Sequence, residues 1–576
     1  MNSYLDLLKA NSQINQAELQ HSLDILVLNN ITTQPINEYL EYSCAVHQIH
    51  AKVNFGDYDN IVQNTQEWEV NDKVVIVFWE LANLIHGLEY KIDSFSPSHL
   101  AALEEKIQTE LKLTFKALSK AALVIMNRFT ALPFSFLQTE SGALEGLANR
   151  LNGFCEQEAP TFIKWLSIDK CIAQSGIDQT IDFKGYLKNK LLYKHAFYWS
   201  YAQLIQPYLT ALTGQVKKLL ALDCDNTLWK GILGEDGAEG IEMDENSFKG
   251  QAFAAAQYRA LALGKKGVLL ALASKNNAAD VDAILLKHPR LTINENALVA
   301  KKVNWEPKGE NLKQLAKELN IGVDSFVFID DSDFEVQLMC DQVPSVTSLQ
   351  VPKNAVDYYV VQQTWSNYFV QLNQSEEDGK KLEQYQQNVK RASEEQKFQN
   401  FEGFLEALNL ELCIHQNDAG LISRMAQMTQ KTNQFNLTTQ RYTEAQLTEF
   451  VNNKDYDCFA FSVKDKFGDS GITGLCIIDY TNKQSASIDT LLMSCRILGR
   501  NIEFKFLEEI LSKVFEKSAL LYATYKPTKK NTQVADFYAK LGFELVEKSA
   551  EMSLYSMKAS TFVPSNSYNY ITLQHA

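Results

Sequence analysis

The sequence predicts a multidomain α/β protein, and three observations point to that class. The chain has 576 residues, too many for one core, and roughly 100–200 residues per domain suggest about three or four domains. Hydrophobic residues make up 45% and charged residues 22%, the usual composition of a folded globular protein. Up to about residue 364, short apolar runs with β-branched members alternate with longer helical stretches, which is typical of mostly parallel sheets.

The N-terminal domain is predicted over residues 1–212. Its clearest strand candidates are the apolar runs Ile25–Leu28, Val74–Phe78 and Leu123–Met126, separated from one another by helical sequence. This alternation favours an α/β layer around a mostly parallel sheet.

A second α/β domain is predicted over residues 213–370. Its strands lie in the segments KLLALD, GVLLALAS and SFVFID, and each segment ends in a polar or acidic residue. Ligands of parallel α/β sheets bind beyond the carboxyl ends of the strands. The chemistry of this domain is therefore expected at those ends.

The rest of the chain is predicted to form a linker and an α+β domain. Residues 371–400 contain the charged run SEEDGKKLEQYQQNVKRASEEQK, with no Pro and one Gly, which indicates a solvated helix between two domains. Residues 401–576 mix short strands with helices. Their tail, TFVPSNSYNYITLQHA, has no helical period and is expected to be either loosely ordered or packed as an arm.

Charge and cysteine usage exclude several classes of function. The formal net charge is −15, whereas a binder of nucleic acid needs a basic surface. No apolar run approaches the roughly 18 residues of a membrane span, and the start, MNSYLDLLKANSQ, lacks the pattern of a signal peptide. A cytoplasmic protein without nucleic-acid or membrane partners is expected. The nine cysteines form no CxxC pair, which favours reduced thiols over a zinc site.

The strongest motif is Asp223-Cys224-Asp225-Asn226-Thr227, which directly follows an apolar strand. Two carboxylates at a strand end repel each other unless a cation lies between them, and Mg²⁺ prefers carboxylates, water and phosphate oxygens. The alternative is a surface pair of aspartates that opens a turn.

Three further elements follow this motif in order. Ser274 ends the next strand, Lys308 precedes a helix, and Asp330 and Asp331 end a third strand. The order resembles the haloacid dehalogenase (HAD) phosphotransferase superfamily. A carboxylate such as Asp223 can attack phosphorus.

The other positions have complementary roles in such chemistry. Asp225 can act as acid and then base, while Ser274 and Lys308 can hold the phosphoryl oxygens. The resemblance implies that Mg²⁺ is bound by Asp223, by Asp225 through its backbone carbonyl, and by Asp330. Asp331 is expected to support the site rather than to bind the metal.

Longer segments narrow the resemblance to the FkbH-like family. They are LALDCDNTLWKGILGEDGAEGIEM, LLALASKNN, VNWEPKGENLKQLAKELNIGVDSFVFIDDSDFE, MTQKTNQFNLTTQRYT, DKFGDSGITG, LLMSCRILGRNIE and YKPTKKNTQVADFYAKLGF, and they cover about residues 160–558. Thr227, Lys230 and Asn276 lie in these segments and are expected to contact substrate. Lys230 departs from the glycine that is commoner in the family.

The family resemblance implies a specific reaction. Some members take the acyl phosphate 1,3-bisphosphoglycerate, hold a glyceryl thioester on a cysteine and pass the glyceryl group to an acyl carrier protein. Cys224, between the two aspartates, is one candidate for that cysteine, and a small packing residue is its alternative reading. Cys495 is a second candidate, because Arg496 and Arg500 lie nearby in sequence and would lower the pKa of its thiol.

The C-terminal domain resembles the Gcn5-related acetyltransferases (GNAT). Asn531 precedes a helix that is followed by an FY…LGF segment, and Arg496–Asn501 loosely matches the pyrophosphate loop R/Q-x-x-G-x-G/A. Such loops point backbone N–H groups at phosphates, although Asn501 replaces the last small residue. The resemblance implies binding of coenzyme A or of the phosphopantetheine arm of a carrier protein.

A polar loop, Lys431–Arg441, is interpreted as a binding surface in this domain, because polar clusters on rigid scaffolds often bind ligands. A solvated loop is the alternative. Carrier docking is expected to use this loop together with the basic residues Arg496, Arg500, Lys526, Lys529 and Lys530. The binding candidates of the loop are Lys431, Asn433, Gln434 and Asn436.

Members of the FkbH-like family often begin with a region that resembles the SGNH hydrolases, so the resemblance implies an SGNH-like α/β domain at residues 1–212. The first strand of this domain, however, ends Leu28-Asn29-Asn30-Ile31 without a serine. A domain without its nucleophile cannot acylate, so a docking or structural role is predicted. Two functions stay open for the whole chain. The first is a transferase that loads an acyl carrier protein, and the second is a phosphatase of small phosphomonoesters.

Overall fold

The computed structural model describes residues 4–372, 381–395, 397–565 and 567–576. The chain forms two compact units that meet in sequence between Thr213 and Gly214. The first unit corresponds to the predicted N-terminal domain. The predicted second domain, linker and C-terminal domain all belong to the second unit.

The first unit is a layered α/β domain. Its helices are α1 (Tyr4–Ser12), α2 (Ile36–Val46), α3 (Ile61–Glu67), α4 (Leu88–Lys91), α5 (Pro97–Ala117), α6 (Leu132–Ser135), α7 (Ala143–Glu158), α8 (Asp169–Ser175), α9 (Ile177–Thr180), α10 (Phe183–Asn189) and α11 (His195–Leu212). Its strands are β1 (His21–Asn29), β2 (Ile49–Phe55), β3 (Val74–Phe78), β4 (Leu123–Asn127) and β5 (Ile163–Leu166).

These five strands form a parallel sheet in the order β2-β1-β3-β4-β5. The three predicted strands are its centre, where every residue of β3 and β4 is buried. The sequence missed β2 and β5, because these edge strands carry exposed or half-buried polar residues that break the apolar run.

The second unit begins with another α/β layer. Its strands are β6 (Leu219–Leu222), β7 (Leu269–Ser274), β8 (Ala300–Val303), β9 (Phe326–Asp330) and β10 (Thr347–Gln350). They form a parallel sheet in the order β10-β9-β6-β7-β8. The helices of this layer are α12 (Leu233–Gly240), α13 (Gly250–Lys265), α14 (Ala278–Lys287), α15 (Lys308–Leu319), α16 (Asp333–Gln342) and α17 (Ala355–Val361), followed by a 3-10 helix (Gln362–Phe369).

The rest of the second unit is built on a nine-stranded mixed sheet. Eight of its strands follow one another in the order β17-β18-β16-β15-β14-β13-β11-β19, and β12 pairs with β15 beside this path. Its strands are β11 (Glu411–Gln416), β12 (Phe435–Asn436), β13 (Tyr456–Asp465), β14 (Gly468–Asp479), β15 (Ala486–Met493), β16 (Leu520–Tyr525), β17 (Glu544–Lys548), β18 (Ser553–Lys558) and β19 (Thr572–His575). The helices are α18 (Lys381–Glu395), α19 (Phe401–Ala407), α20 (Ile422–Lys431), α21 (Glu444–Asn452), α22 (Ile502–Lys517) and α23 (Phe537–Lys540).

The predicted solvated linker is instead a packed helix, as far as the described residues go. Residues 373–380 and 396 of the predicted run lie outside them. Within α18, the side chains of Gln384, Tyr385, Gln387 and Arg391 are buried, and Tyr385 belongs to the apolar core beneath β6, β7 and β9. The prediction of a solvated helix is wrong because one face of α18 carries residues that find buried partners.

The C-terminal tail is a packed arm, one of its two predicted alternatives. The rings of Tyr568 and Phe504 stack with centroids 5.7 Å apart. The backbone N–H of Ser565 donates to the Glu508 carboxylate over 3.2 Å, and β19 pairs in parallel with β11. The multidomain α/β prediction is confirmed. Across the described residues, every helix falls short of the length or apolar character that a membrane crossing requires.

Candidate active site

The carboxyl ends of three adjacent strands bring the predicted catalytic residues together. Asp223 follows β6, Ser274 ends β7, and Asp330 ends β9. Because β6 pairs in parallel with both β7 and β9, these ends share one edge of the sheet. All three side chains are buried. The Ser274 hydroxyl is hydrogen-bonded to the Asp223 carboxylate.

Lys308, the first residue of α15, joins two of the carboxylates. Its Nζ donates to Asp223 Oδ1 over 2.8 Å and to Asp330 Oδ2 over 2.6 Å. Burial opposes the charge of this ammonium, but the two neighbouring carboxylates outweigh that effect and raise the pKa of Lys308 above its usual value. The site therefore holds a permanent positive charge against its carboxylates.

The pKa values of the two carboxylates are raised as well. Burial raises the pKa of Asp223, and Lys308 opposes this effect. Burial and the charge of Asp223 raise the pKa of Asp330 to about 6. One lysine thus compensates only part of the charge that is gathered here, which leaves room for a cation.

Asp223, Asp330 and Asp331 form a group that fits Mg²⁺. Each offers a carboxylate oxygen, and these oxygens lie within 4.8 Å of one another. Hard oxygen donors of this kind suit Mg²⁺. The Asp331 carboxylate lies in this group, and the prediction that it supports the site rather than binds the metal stays a prediction. The Asp225 carboxylate does not belong to the group, and its predicted role as a backbone ligand stays a prediction.

Asp225 is instead held by three donors. Its Oδ1 accepts from Trp229 Nε1 over 2.9 Å and from the Leu233 backbone N–H over 3.0 Å. Its Oδ2 accepts from Asn276 Nδ2 over 3.0 Å. Asn276, predicted to contact substrate, thus positions Asp225. Trp229 and Leu233 were missed, although an indole four residues after the aspartate was a readable signal for Trp229.

The turn after the motif arranges the remaining predicted residues. Asn226 adopts a left-handed conformation with φ 51°, and its Oδ1 accepts from Lys230 Nζ over 2.7 Å. The Thr227 backbone carbonyl accepts from Tyr358 OH over 2.8 Å. The Thr227 hydroxyl is buried and has no partner among the described residues, and its predicted contact with substrate stays a prediction.

Cys224 lies in the site but is arranged as a packing residue. It belongs to the apolar core of this layer with Trp229 and Leu228. Burial, together with the charge of Asp223, raises the pKa of its thiol well above the usual value. A thiolate at this position is therefore disfavoured, which supports the packing alternative.

Cys495 lies away from the site, so the prediction that it is catalytic is wrong. Its backbone carbonyl accepts from Asn320 Nδ2 over 2.6 Å, and Asn320 caps the end of α15 opposite Lys308. That helix has 12 residues, which correspond to about 18 Å at 1.5 Å per residue. A thioester on Cys495 could not meet a phosphoryl group at Asp223.

Side chains of the polar loop Lys431–Arg441 form hydrogen bonds with other groups of the protein. Lys431 Nζ donates to Gln371 Oε1 over 2.7 Å, and Asn433 Nδ2 donates to the Gly214 carbonyl over 3.2 Å. Asn436 is buried and bonds Thr432 and Thr439 of its own loop. Gln434 Oε1 is buried without a described partner. The prediction of a binding surface is wrong for Asn433 and Asn436, because internal partners satisfy them.

The other C-terminal candidates are also internal. Arg496 Nη2 donates to the Ser470 carbonyl over 2.7 Å, and Arg500 Nη1 lies 3.4 Å from Asp465 Oδ2. Both arginines are buried, so neither can contact a carrier protein as predicted. Asn531, fully buried, bonds the backbone carbonyls of Asn436 and Lys526, each over 2.9 Å.

The C-terminal domain packs against the amino end of the second sheet. Besides the contacts of Cys495 and Asn433, Lys530 Nζ lies 2.5 Å from Asp324 Oδ2. Asp324 and Gly214 precede β9 and β6, whereas Asp223 and Asp330 stand at the opposite ends of those strands. The predicted docking surface therefore lies at the opposite end of this layer from the site formed by Asp223, Ser274, Lys308 and Asp330.

The first unit contains no serine at the end of β1, where Asn29 and Asn30 stand. Asn30 is bonded through both side-chain atoms to the backbone of Glu80, over 3.0 and 2.6 Å. The prediction that this domain lacks its own hydrolase chemistry stays a prediction.

Comparison with known proteins gives a fold but no family. No protein-family model matches the sequence, and no match is found among curated proteins. The N-terminal part of the protein BF1531 from Bacteroides fragilis, which contains a phosphatase domain complexed with Mg, is 21% identical with a TM-score of 0.55. The match covers 65% of this chain and 100% of that chain. At this identity it shows a shared fold.

Acetyltransferases match a smaller part of the chain. The ribosomal-protein-S18-alanine N-acetyltransferase from Escherichia coli is 10% identical with a TM-score of 0.21, covering 27% of this chain and 97% of its own. The PaiA N-acetyltransferase from Thermoplasma acidophilum, in complex with coenzyme A, is 17% identical with a TM-score of 0.18, covering 20% and 72%. These scores are too low to carry an argument about this chain.

Proposed function

We propose that the chain is a Mg²⁺-dependent enzyme that transfers the phosphoryl group of a small phosphorylated substrate to Asp223 and then to water. The observation that carries this proposal is the ammonium of Lys308, bonded to both Asp223 and Asp330 at the carboxyl ends of adjacent strands. A lysine between a nucleophile and a metal-binding carboxylate fixes both and also offers positive charge to a phosphoryl oxygen.

The chemistry proceeds in two steps. An oxygen of Asp223 forms a bond to phosphorus while the bond to the leaving oxygen breaks, and Asp225 gives that oxygen a proton. Water then attacks the aspartyl phosphate and gives its proton to Asp225, which releases inorganic phosphate and restores Asp223. Trp229, Asn276 and the Leu233 backbone N–H hold Asp225 for both transfers.

The carboxylates of Asp223, Asp330 and Asp331 would hold the Mg²⁺ ion. Bound there, it would neutralise charge on the transferring phosphoryl group. Ser274 and Thr227 add hydroxyl groups at the same strand ends. The buried Ser274 hydroxyl keeps Asp223 oriented.

A second candidate function is the loading of an acyl carrier protein from an acyl phosphate such as 1,3-bisphosphoglycerate. One observation favours it. Cys224 places a thiol between Asp223 and Asp225, where the Ser274 hydroxyl is hydrogen-bonded to it. Attack of this sulfur on the acyl carbon would form a thioester while the bond from that carbon to the phosphate oxygen breaks, and the thiol proton would leave with the phosphate. The pantetheine thiol of the carrier would then take the acyl group and return a proton to Cys224. The burial of Cys224 counts against this route.

One experiment separates the two functions. The full chain is incubated with Mg²⁺, 1,3-bisphosphoglycerate and a phosphopantetheinylated carrier protein, and the intact masses of both proteins are followed together with phosphate release. Phosphate release with no glyceryl adduct on either protein supports the phosphatase function. A glyceryl adduct on the carrier that Cys224→Ala abolishes supports transfer. No phosphate release from this donor or from simple phosphomonoesters contradicts both.

A further inference from the structure

A wedge opens between two strands of the C-terminal sheet. β15 and β16 pair in parallel only from Ala486 to Ile488. Beyond Ile488 the two strands diverge, although β15 continues to Met493. This leaves an internal strand edge whose backbone groups need partners. A pantetheine arm, an extended chain with two amides, would bind along such an edge by strand addition.

The chain fills this wedge with a segment of its own, Phe435–Leu437. Phe435 pairs with Met493 and Asn436 pairs with Leu492, and the Leu437 N–H donates to the Leu491 carbonyl over 3.1 Å. On the far side of the wedge, the Lys526 N–H donates to the Leu437 carbonyl over 2.8 Å. The segment therefore hydrogen-bonds to both walls.

Side chains fix the segment in place. Phe435, Asn436 and Leu437 are at most 2% exposed. The ring of Phe435 packs edge-on against Phe537 with centroids 5.2 Å apart. Asn531 Nδ2 donates to the Asn436 carbonyl over 2.9 Å, so the asparagine expected to contact a cofactor bonds the chain's own segment. Opening the wedge would break these contacts together.

The helix that follows the wedge presents a carboxylate where a pyrophosphate would need donors. Glu503 is the second residue of α22, and its own backbone N–H bonds its carboxylate. Burial raises the pKa of Glu503 to about 7. Tyr570 of the tail donates to the Arg500 carbonyl over 3.2 Å and accepts from Asn501 Nδ2 over 3.1 Å. A phosphate here would lie beside the Glu503 carboxylate, which repels it when ionised.

We propose that the C-terminal domain binds neither coenzyme A nor a pantetheine arm, because Phe435–Leu437 occupies the wedge between β15 and β16. The residues present do not fit the cofactor that the acetyltransferase resemblance implies. The domain instead stabilises the layer that holds the phosphoryl site, through Asn320, Asp324 and the α18 helix. This inference does not depend on the proposed function.

The test uses the full chain without Mg²⁺ and with excess inorganic phosphate, so that the phosphoryl site cannot capture the phosphates of coenzyme A. Coenzyme A, acetyl-coenzyme A and pantetheine are titrated to millimolar concentration by calorimetry. Hydrogen exchange at the amides of Leu437 and Lys526 is measured with and without each compound.

We expect no saturable heat, and we expect both amides to exchange as slowly as those of β15 whether or not a compound is present. Saturable binding of any of the three compounds would overturn the inference. Rapid exchange at Leu437 and Lys526 in the free protein would overturn it as well, since the segment would then not be seated in the wedge.

Discussion

A single lysine decides how the charges of the phosphoryl site balance. Lys308 is 4% exposed and bonds two carboxylates that are themselves buried. A buried ion pair of this kind adds little net stability, but removing one partner leaves an uncompensated charge. Under the proposed function, the arrangement serves the chemistry, because it keeps Asp223 oriented for attack and aligned with Asp330.

Replacing the nucleophile should stop turnover without unfolding the protein. We expect Asp223→Asn to lose phosphate release from p-nitrophenyl phosphate, because the amide cannot attack phosphorus. Its oxygen still accepts from Lys308, so the thermal midpoint by circular dichroism should stay close to that of the parent. Asp280→Asn, an exposed site on α14, is the matched control. Retained activity in Asp223→Asn would refute the aspartyl phosphate mechanism.

The indole of Trp229 should matter through Asp225 rather than through substrate. Trp229→Phe keeps a large apolar ring in a fully buried position but removes the donor to Asp225 Oδ1. We expect kcat to fall by roughly 10- to 100-fold, a part of what a positioned acid or base contributes, with a smaller change in KM. The pH profile of kcat should shift as well. A profile and kcat equal to the parent's would show that Asn276 and Leu233 suffice.

Glu80 in the first unit should make that domain's stability depend on pH. It is 4% exposed, its carboxylate accepts from Tyr193 OH over 2.7 Å, and burial raises its pKa to about 7. A raised pKa means that the folded state holds the proton more tightly. The stabilisation is complete below the unfolded pKa and is lost as pH rises through 7, at a cost of roughly 3 kcal/mol.

Glu80→Gln keeps an acceptor for Tyr193 and has no charge to bury. By calorimetry of the full chain, we expect the variant to unfold at a higher temperature than the parent at pH 8, with little difference at pH 5. Glu67→Gln, an exposed change on α3, should show no such dependence. An equal shift at both pH values would place the cause elsewhere.

At the scale of elements, the sequence predicted which residues lie at the strand ends, but not which face of a helix is buried. Asp223, Ser274 and Asp330 could be placed because each follows an apolar run, and parallel strands bring their ends together. The burial of α18 could not be foreseen, since its charged composition is equally compatible with solvent. The buried Arg391 is paired with Asp465, which lies 74 residues further along the chain. No local pattern encodes that partner.

Partners that are distant in sequence also explain why the polar loop was wrongly predicted to be a binding surface. Lys431–Arg441 has the composition of a binding surface, but its partners come from β15, from the segment around Asn531 and from Gly214. Asn436 alone bonds two backbone groups of its own loop. In a sequence, polar residues that hydrogen-bond to buried backbone groups cannot be distinguished from polar residues that contact a ligand.

The ion pair that anchors α18 gives a prediction about the element. Arg391 bonds both oxygens of Asp465, over 2.6 and 2.7 Å, and both side chains are almost fully buried. We expect Arg391→Met to destabilise the second unit by about 3–5 kcal/mol, because Asp465 loses its close cationic partner. The carboxylate then keeps the more distant Arg500 at 3.4 Å and the backbone N–H groups of Phe467 and Gly468.

Denaturant unfolding and limited proteolysis of the α18 region measure the effect. Arg391→Lys keeps a positive charge beside Asp465 and should lose less stability than Arg391→Met. Lys390→Met, at an exposed neighbouring position, is the control. If Arg391→Lys and Arg391→Met are equally unstable, the paired hydrogen bonds and packing of the arginine rather than its charge hold the helix.

In the second unit, the proposed reaction site and the contacts with the C-terminal domain lie at opposite ends of the parallel strands. The C-terminal domain contacts the layer at Asn320, Asp324 and Gly214, which precede its strands. The phosphoryl site opens at the other end of those strands. Under the carrier-loading function, we therefore expect the carrier to reach the strand ends directly rather than through the C-terminal domain.

Two exposed aromatic residues mark that approach. Trp305 lies between β8 and Lys308 and is 74% exposed, and Phe334 follows Asp330 and is 67% exposed. Aromatic residues are enriched in protein–protein interfaces, so these two side chains are candidates for a contact with a partner. Under the carrier-loading function, we expect them to contact the carrier protein.

We expect Trp305→Ala/Phe334→Ala to slow transfer to a carrier by roughly 10-fold or more, since buried aromatic anchors often contribute 2 kcal/mol or more to an interface. Hydrolysis of a small phosphomonoester should continue at the parent rate, because neither residue bonds Asp223, Asp225 or Lys308. Phe401→Ala, an exposed aromatic of the C-terminal domain, is the matched control, and the charge changes Lys529→Ala and Lys529→Glu, at an exposed position that forms no ion pair with the layer in the described residues, test the docking surface predicted from sequence. Transfer that survives the aromatic changes but fails with the lysine changes would show that the carrier docks on the C-terminal domain, with its arm reaching the site around the layer.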